Sequence, residues 1–593
     1  MTLPRNEYDQ RLTRWRAAVD RQNRRYTQIS DIRLATAVAA AIIAYLIFGS
    51  VVISAYWLIA PAALFIVLMV AHLKIDKRRQ FAQRAVRYYE QALKRLGDEW
   101  SGSGNPGDAF ADSSHPYASD LDLFGRGSLF ELLSTARTYE GEATLAGWLK
   151  QPALRNEAMQ RQAAIRELAP QVEQRETLML LGEEIRSEVQ AKALSDWANE
   201  APTQYFPGAR LVALAFCVAT LVAFGGYWAG VWTSTVFLGA FVLGQIFAGV
   251  LYTKTRHILS SLHARAHDLT LLSSLLAELE TVSFTSPKLD AIQTAIKRDG
   301  KPASSRIAQL ERLLALHENG SNQYLIPIAL VLLWHTQLAM AVENWRRENG
   351  PHIARWLAAL GEFEALSSLA CYAYERPELI YPELVDEAIF AAAGLGHPLL
   401  PAKSCVTNDV SLGGEVKLLV ISGSNMSGKS TLLRAIGLNT VLAWAGAPVR
   451  ATTLKVGPVA LGASLRTVDS LQEGRSRFYA EITRLRQVAD LAKGDRPLLF
   501  LLDEVLSGTN SHDRRIGAQS IVEGLLKRGA IGLITTHDLA LAEIGKQLGV
   551  SAINVHFEDH LENGEMRFDY KMRPGVVERS NALELMRAVG LLD

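Results

Sequence analysis

The chain has 593 residues, 62 basic and 61 acidic side chains, and a net charge of +1, with 49% of residues hydrophobic. The near-neutral total hides a division: residues 1–100 hold 16 basic against 8 acidic residues, 101–399 hold 23 against 32, and 400–593 hold 23 against 21. Three cysteines (Cys217, Cys371, Cys405) without paired spacing exclude a disulfide scaffold and a cysteine zinc site, and suit a reducing cytoplasm.

Residues 1–33 form a basic segment with eight arginines. Leu34 to Leu73 then runs for 40 residues without Asp, Glu, Lys or Arg. With a turn near Ser50 to Trp57, it supplies two spans of roughly 20 residues, each enough for ~30 Å of hydrocarbon. This first apolar stretch begins too late and is too long for the h-region of a cleavable signal peptide. Residues 74–100 are expected to form a juxtamembrane helix, opening with Lys74, Lys77, Arg78 and Arg79. Residues 101–119, rich in Gly, Ser, Asp and Pro, read as a flexible linker.

A helical region over 120–208 leads to a second apolar hairpin at 209–253. Leu211 to Thr253 is 43 residues without charge, with a Gly225-Gly226 turn and Tyr227, Trp228 and Trp232 placed as interface aromatics. Arg210, Lys254 and Arg256 flank it, whereas neither hairpin turn carries charge. The positive-inside bias therefore predicts a multi-pass inner-membrane protein with both termini in the cytoplasm. The helical region resumes over 254–395. Within it Tyr324 to Val342 is apolar but contains His335 and Gln337, and a fifth span would export the C-terminal domain. It is expected to be a buried core helix.

Residues 396–593 carry the chemistry. Gly423 to Thr431 reads GSNMSGKST between an apolar strand-like segment (Lys417 to Ile421) and a helix-like one (Leu432 to Thr440). That is the setting of a P-loop, or Walker A motif: glycines let backbone N–H groups close around phosphate, and the helix N-terminus adds its positive dipole end. Lys429 would reach the β/γ-phosphates and Ser430 would offer its hydroxyl to Mg²⁺. Pro497 to Glu504 is an apolar run ending in two acids, as a buried parallel strand with a Walker B terminus would. Asp503 would hold Mg²⁺ through water, and Glu504 would polarise the attacking water. Ile531 to His537 delivers His537 to the same sheet edge as a γ-phosphate contact. Gly474 and Ser476 open an amphipathic helix in EGRSRFYAEI, Glu473 to Ile482. They are equally readable as an ordinary N-cap or as an anion-binding end completing another protomer's site. Ile553 to Met572 alternates about Asn563-Gly564 as a β-hairpin would, and a short helix is expected near Asn581 to Val589.

This ordered set resembles the ATPase domain of the DNA mismatch-repair MutS family, a branch of the ABC-type ATPases. The matching text is NDVSLGG (Asn408 to Gly414), Ile421 to Ala451, EGRSRFYAEI, LLDEVLSGTNSHD (Leu501 to Asp513), TTHD (Thr535 to Asp538) and INVHFEDH (Ile553 to His560). Ser424 stands where the family commonly has Pro. The resemblance implies that Gly423, Ser424, Asn425, Met426, Ser427, Gly428, Lys429, Ser430 and Thr431 hold ATP, with Ser430 and Asp503 serving Mg²⁺ and Glu504, His537 and Lys429 catalytic. It makes Gly474 and Ser476 a signature acting in trans, and implies a homodimer closed through the ATPase domains. The family often stacks an aromatic on adenine just before the Asn408 motif, where this chain has Cys405. Asp122 to Ala153 and Arg161 to Leu168 look like the opening of the family's helical core. Phe363 to Leu384 and Gly394 to Leu400 look like its closing lever.

The expected fold is thus an α/β P-loop (ABC-type) ATPase domain plus an all-α MutS-like core/lever domain carrying four transmembrane helices in two hairpins. No phenylalanine has Glu two residues on, so the family's mismatch-reading wedge is absent from this sequence. The helical dimerisation extension common in the family is not expected either. Two functions stay open. One is a membrane-anchored ATPase that binds mismatched, damaged or branched DNA in a nucleotide-dependent clamp. The other is a dimerising ATPase that acts on a membrane or protein partner without DNA, which the net acidic middle of the chain favours.

Overall fold

The computed structural model describes residues 3–50, 54–186, 191–298, 300–320, 325–424, 426–465, 477–506, 509–537, 549–562 and 565–577. The chain divides into two compact units, one comprising residues 1–134 and 371–593, the other 135–370.

The first unit opens with an antiparallel hairpin of two long helices, Leu3–Ser50 and Ile59–Leu96. An aromatic ladder closes its charged half: Tyr8 lies 5.4 Å from Tyr89, Trp15 5.8 Å from Phe81, and Tyr26 4.4 Å from His72. Arg79 stacks 4.2 Å over Tyr26, and Arg16 pairs with Glu90 at 2.8 Å. At its foot Arg95 meets buried Glu375 at 2.6 Å, and Tyr374 donates to Glu7 at 2.9 Å. The apolar half is largely exposed, Leu34 at 67% and Phe48 at 82%, with Arg33 stacked 5.4 Å over Phe65 at its start.

The same unit holds a six-stranded sheet. Its strands are β1 (Leu418–Ser422), β2 (Ala460–Ser464), β3 (Leu498–Leu502), β4 (Ile531–Thr536), β5 (Ala552–Glu562) and β6 (Glu565–Pro574). The spatial order is β6-β5-β1-β4-β3-β2, parallel except for the antiparallel β5–β6 hairpin. Every residue of β1, β3 and β4 is buried, as expected of parallel strands covered on both faces. A four-stranded sheet lies beside it in the chain, built from Glu383–Leu384, Thr453–Val456, Phe390–Leu395 and Asn408–Leu412. Strands therefore begin before residue 396, where the sequence placed the domain start.

The segment expected to be a free linker is instead built into this unit. Ala463 N donates to Pro116 O at 3.0 Å and Leu465 N to Asp120 Oδ1 at 2.7 Å, so residues 116–120 cover the open edge of β2. Tyr117, Ala118 and Leu121 are buried. Arg484 ion-pairs with Asp120 at 2.5 Å and donates to His115 O at 2.8 Å. Gly, Ser and Pro here serve tight turns rather than disorder, for instance Gly107, whose φ of +73° suits glycine alone beside the Phe130 ring.

The second unit is helical but for a short antiparallel pair, Lys297–Arg298 with Lys301–Pro302, so it is not all-α as expected. Thr138 caps the helix Tyr139–Lys150 by accepting from Gly141 N, and buried Glu364 accepts from the N–H groups of Arg137 and Thr138 at 3.2 Å each. Burial pushes the Glu364 carboxyl above its ordinary range, against these hydrogen bonds. Its apolar hairpin consists of Ala209–Trp228 and Ser234–Val250. Among the described residues three helices are long and apolar enough to span a bilayer by themselves. The fourth expected span is only 17 residues and continues, after a break at Leu251 and a bend of 63°, into the helix from Tyr252.

Tyr324 to Val342 is a buried helix only in its second half, from Trp334, where Leu338, Ala339, Met340 and Val342 are buried. Residues 321–324 lie outside the described residues, Ile326–Val331 is a short helix, and the chain breaks at Leu332–Leu333 before a new helix starts at Trp334. Leu333 sits at φ +46°. Ile326, Ile328 and Leu330 are between 44% and 53% exposed, while Leu333 packs against Ala213 and Cys217 of the hairpin. An apolar run reads the same whether its outer face meets protein or lipid.

Candidate functional site

The glycine-rich loop leaves the carboxyl end of β1 and runs into the helix Lys429–Ala445. Gly423 has φ +149°, and an added Cβ would lie 2.9 Å from Phe557 O; Gly428 has φ +110° and opens the helix. Only glycine serves both positions without strain. Met426 projects outward, 84% exposed. Ser427 is buried and donates to Ser424 O at 2.8 Å, while Ser424 Oγ is buried without a hydrogen bond of its own among the described residues.

Lys429 is buried and curls back over the loop, its Nζ donating to Gly423 O at 2.7 Å and Ser424 O at 2.8 Å. Burial lowers its pKa, and the nearby Glu504 and Asp503 charges oppose that shift. Ser430 Oγ donates to Asp503 Oδ2 at 2.5 Å, and the Thr535 hydroxyl donates to the other carboxylate oxygen. One carboxylate thus gathers the start of the helix and the end of β4. Asp503 N is held by Ser464 O of β2 at 2.9 Å.

Glu504 follows in a left-handed conformation, φ +46°, with its N–H on Thr535 Oγ1 at 3.0 Å. Its carboxylate, one-third exposed, stands 3.5 Å from His537 Nδ1 at the end of β4. Leu506 is also left-handed, at φ +58°. Its N–H is accepted by buried Glu481 of the helix Arg477–Leu491, and Arg514 donates to its carbonyl at 3.2 Å. Non-glycine residues in this region cost about 1–3 kcal/mol each and persist where surroundings enforce them, often at working sites.

The structure thus brings Gly423, Ser424, Met426, Ser427, Gly428, Lys429, Ser430 and Thr431 into one loop and helix start. Asp503, Glu504 and His537 stand at the neighbouring strand ends. Asn425, Gly474 and Ser476 lie outside the described residues, as do the Asn563-Gly564 turn and Asn581 to Val589. Three contributors were missed by sequence reasoning: Thr535, Glu481 and Tyr570. The Tyr570 ring closes over the loop, 3.2 Å from where a Cβ on Gly428 would stand, on a backbone at φ +56°. Asn408 fixes it, donating to Tyr570 O at 3.0 Å and accepting from Met572 N at 2.8 Å. Asn408 in the NDVSLGG run was the one available signal, and a separation of 162 residues concealed its partner.

Chemically, the loop offers backbone N–H groups, a helix N-terminus and an ammonium: an anion cradle. Beside it lie a hydroxyl and a carboxylate oxygen already in contact, a hard-oxygen pair suited to Mg²⁺. Among the described residues no group of three His, Cys, Asp or Glu side chains forms an all-protein metal cage. A Mg²⁺ ion here would need substrate phosphate and water to complete its shell.

Residues 419–592 match MutS domain V. The chain is 35% identical over 205 residues to an endonuclease MutS2 of Thermomicrobium roseum, which covers 33% of this chain and 24% of that protein. It is 30% identical over 246 residues to a DNA mismatch repair protein MutS of a Roseiflexus species, 40% of this chain and 22% of the relative. A DNA mismatch repair protein MutS of Geobacillus thermodenitrificans is 29% identical over 262 residues, 43% and 28%. The chain therefore spans about a quarter of the length of the curated relatives it matches.

Proposed function

With MutS domain V over residues 419–592, the chain is a member of the MutS family, and from that premise we propose a membrane-anchored ATPase that binds DNA in a nucleotide-dependent clamp. The observation that carries the nucleotide part is the meeting of Lys429, the Ser430–Asp503–Thr535 contact and the Glu504–His537 pair at the carboxyl ends of β1, β3 and β4. Ligands bind at that edge in open parallel sheets.

In this P-loop reading the loop amides and Lys429 take the phosphates, Lys429 exchanging its carbonyl partners for phosphate oxygens. Ser430 and Asp503 would hold Mg²⁺, which supplies charge neutralisation on the β- and γ-phosphates. Glu504 orients and polarises the attacking water, His537 contacts the γ-phosphate edge, and Tyr570 offers its ring to the base. Ser476 of a second copy would complete the site, so that ATP draws two protomers together and hydrolysis releases them. The two apolar hairpins, with their basic flanks, support an inner-membrane location with the ATPase in the cytoplasm.

A second reading keeps the engine and removes the DNA. The net acidic composition of residues 101–399 favours it, because duplex affinity comes largely from Lys and Arg on phosphates. One measurement separates them: ATP hydrolysis by the full-length protein in nanodiscs, with and without mismatched or branched duplex. Stimulation that fades with salt supports the DNA clamp; an unchanged rate and no salt-sensitive binding refute it. Lys429→Ala should abolish nucleotide binding or turnover in either case.

A further inference from the structure

A cavity of about 930 Å³ opens in the second unit at the foot of its apolar hairpin, at the upper end of the range for small-ligand sites. Two chain breaks border it. One is Leu251, where Ser234–Val250 turns by 63° into the helix from Tyr252; the other is Leu332–Leu333, after which a 42-residue helix starts at Trp334. Gln245 donates to Leu330 O at 3.0 Å, linking the hairpin to the short helix, and Trp334 Nε1 donates to Leu316 O at 2.8 Å.

The lining has two characters. One end is polar, with Arg256 as its fixed charge; beside it stand the His317–His335 pair, ring nitrogens 3.1 Å apart with burial lowering the His335 pKa, and Trp334, His335 and Thr336, the opening turn of the long helix. That turn aims the positive end of a helix dipole at the space. No Asp or Glu is among the described lining residues. The other end is Ala248, Ala329, Leu330 and Leu333, continuous with the exposed Ile326 and Ile328. A free small anion has no use for that second wall; a molecule with a charged head and an apolar tail uses both.

We propose that this cavity holds the headgroup and upper acyl segments of one anionic phospholipid from the cytoplasmic leaflet. Arg256, His335 and the start of the long helix meet the phosphate. The acyl chains leave across the Ile326–Leu330 face into the bilayer. The assignment rests on the membrane reading above, and places the lipid at the level set by Lys254 and Arg256, where basic clefts between spans meet anionic headgroups.

The test is native mass spectrometry of the full-length protein in detergent, titrated with dioleoyl phosphatidylglycerol, dioleoyl phosphatidylcholine or soluble glycerol phosphate. The wild type should retain one phosphatidylglycerol with about tenfold or greater preference over phosphatidylcholine, whose phosphate is the same but whose choline cation Arg256 repels. Arg256→Gln combined with His335→Leu should lose that preference. Gly249→Phe should exclude the lipid by narrowing the space that Gly249 lines, and an added Cβ there meets nothing within 4 Å, so the change is tolerated by its neighbours. ATP hydrolysis and monodispersity of both variants report that they are folded. Equal retention by the wild type and both variants, or equal binding of phosphatidylcholine, overturns the proposal. Competition by glycerol phosphate at similar concentration would make this a free-anion site and overturn it too. Recovery of the chain in buffer without detergent would remove the membrane reading first, and this inference with it.

Discussion

The strands beneath the nucleotide loop and the two apolar hairpins are both rich in Leu, Ile, Val and Phe, yet they treat those side chains in opposite ways. Every residue of β1, β3 and β4 is buried. In the hairpins Leu64 is 48%, Leu211 71% and Leu238 57% exposed. In the sheet, apolar burial is a means of fixing charge: five polar side chains, Lys429, Ser430, Asp503, Glu504 and His537, stand at strand or loop ends that cannot move without unpacking the core. In the hairpins the apolar surface stays exposed, and the proposed membrane reading gives that surface its contact. Hydrophobicity alone does not say which solvent a segment is built for; the placement of the nearest charges does.

The sharpest way to break this contrast is at the charged edge. Glu504→Gln should bind ATP but lower turnover about 10²–10⁴-fold, the usual contribution of a positioned base. An unchanged rate in a phosphate-release assay would remove Glu504 from the chemistry. Next in size is the clasp on the open edge of β2. Asp120→Ala leaves the largely buried Arg484 guanidinium without its carboxylate, at a cost of about 3–5 kcal/mol. Thermal melting of the solubilised protein should show a lower midpoint. A shift confined to the hairpin transition, or none, would show that residues 116–120 carry no load.

A charge placed in an apolar tip addresses the other side of the contrast. Leu64→Arg should cost about 2.5–3.5 kcal/mol of insertion and reduce the carbonate-resistant membrane fraction. If that face were merely an unpaired soluble surface, arginine there would instead improve solubility. The smallest effect is expected at Tyr570→Ala, where loss of base stacking, about 1–3 kcal/mol, should raise the KM for ATP and leave kcat nearly unchanged. A KM equal to wild type would remove the ring from the nucleotide.

The legibility of the molecule follows the same line. Lys429, Ser430, Asp503, Glu504 and His537 could be read from the sequence because each sits at a junction marked locally by glycine, acid or a strand end. Tyr570 and Asp120 could not, because their roles depend on partners 162 and 364 residues away along the chain. The Gly/Ser/Pro composition of 101–119 misled for a different reason: the residues that permit disorder are also those that permit tight turns against a sheet edge. The break at Leu332–Leu333 was invisible because no Gly or Pro marks it, and a β-hairpin at 552–574 was visible because alternation reports a half-exposed strand directly.

One further consequence follows from the length of the first helix. Leu3 to Arg33 precedes the uncharged stretch, and at 1.5 Å per residue that is a strut of about 45 Å, stiffened by its aromatic rungs. With the tips in a bilayer, the strut fixes a height. Under the proposed membrane reading two copies would search for each other in a plane rather than a volume, at matched elevation, with an encounter rate governed by areal density and lateral diffusion more than by bulk concentration.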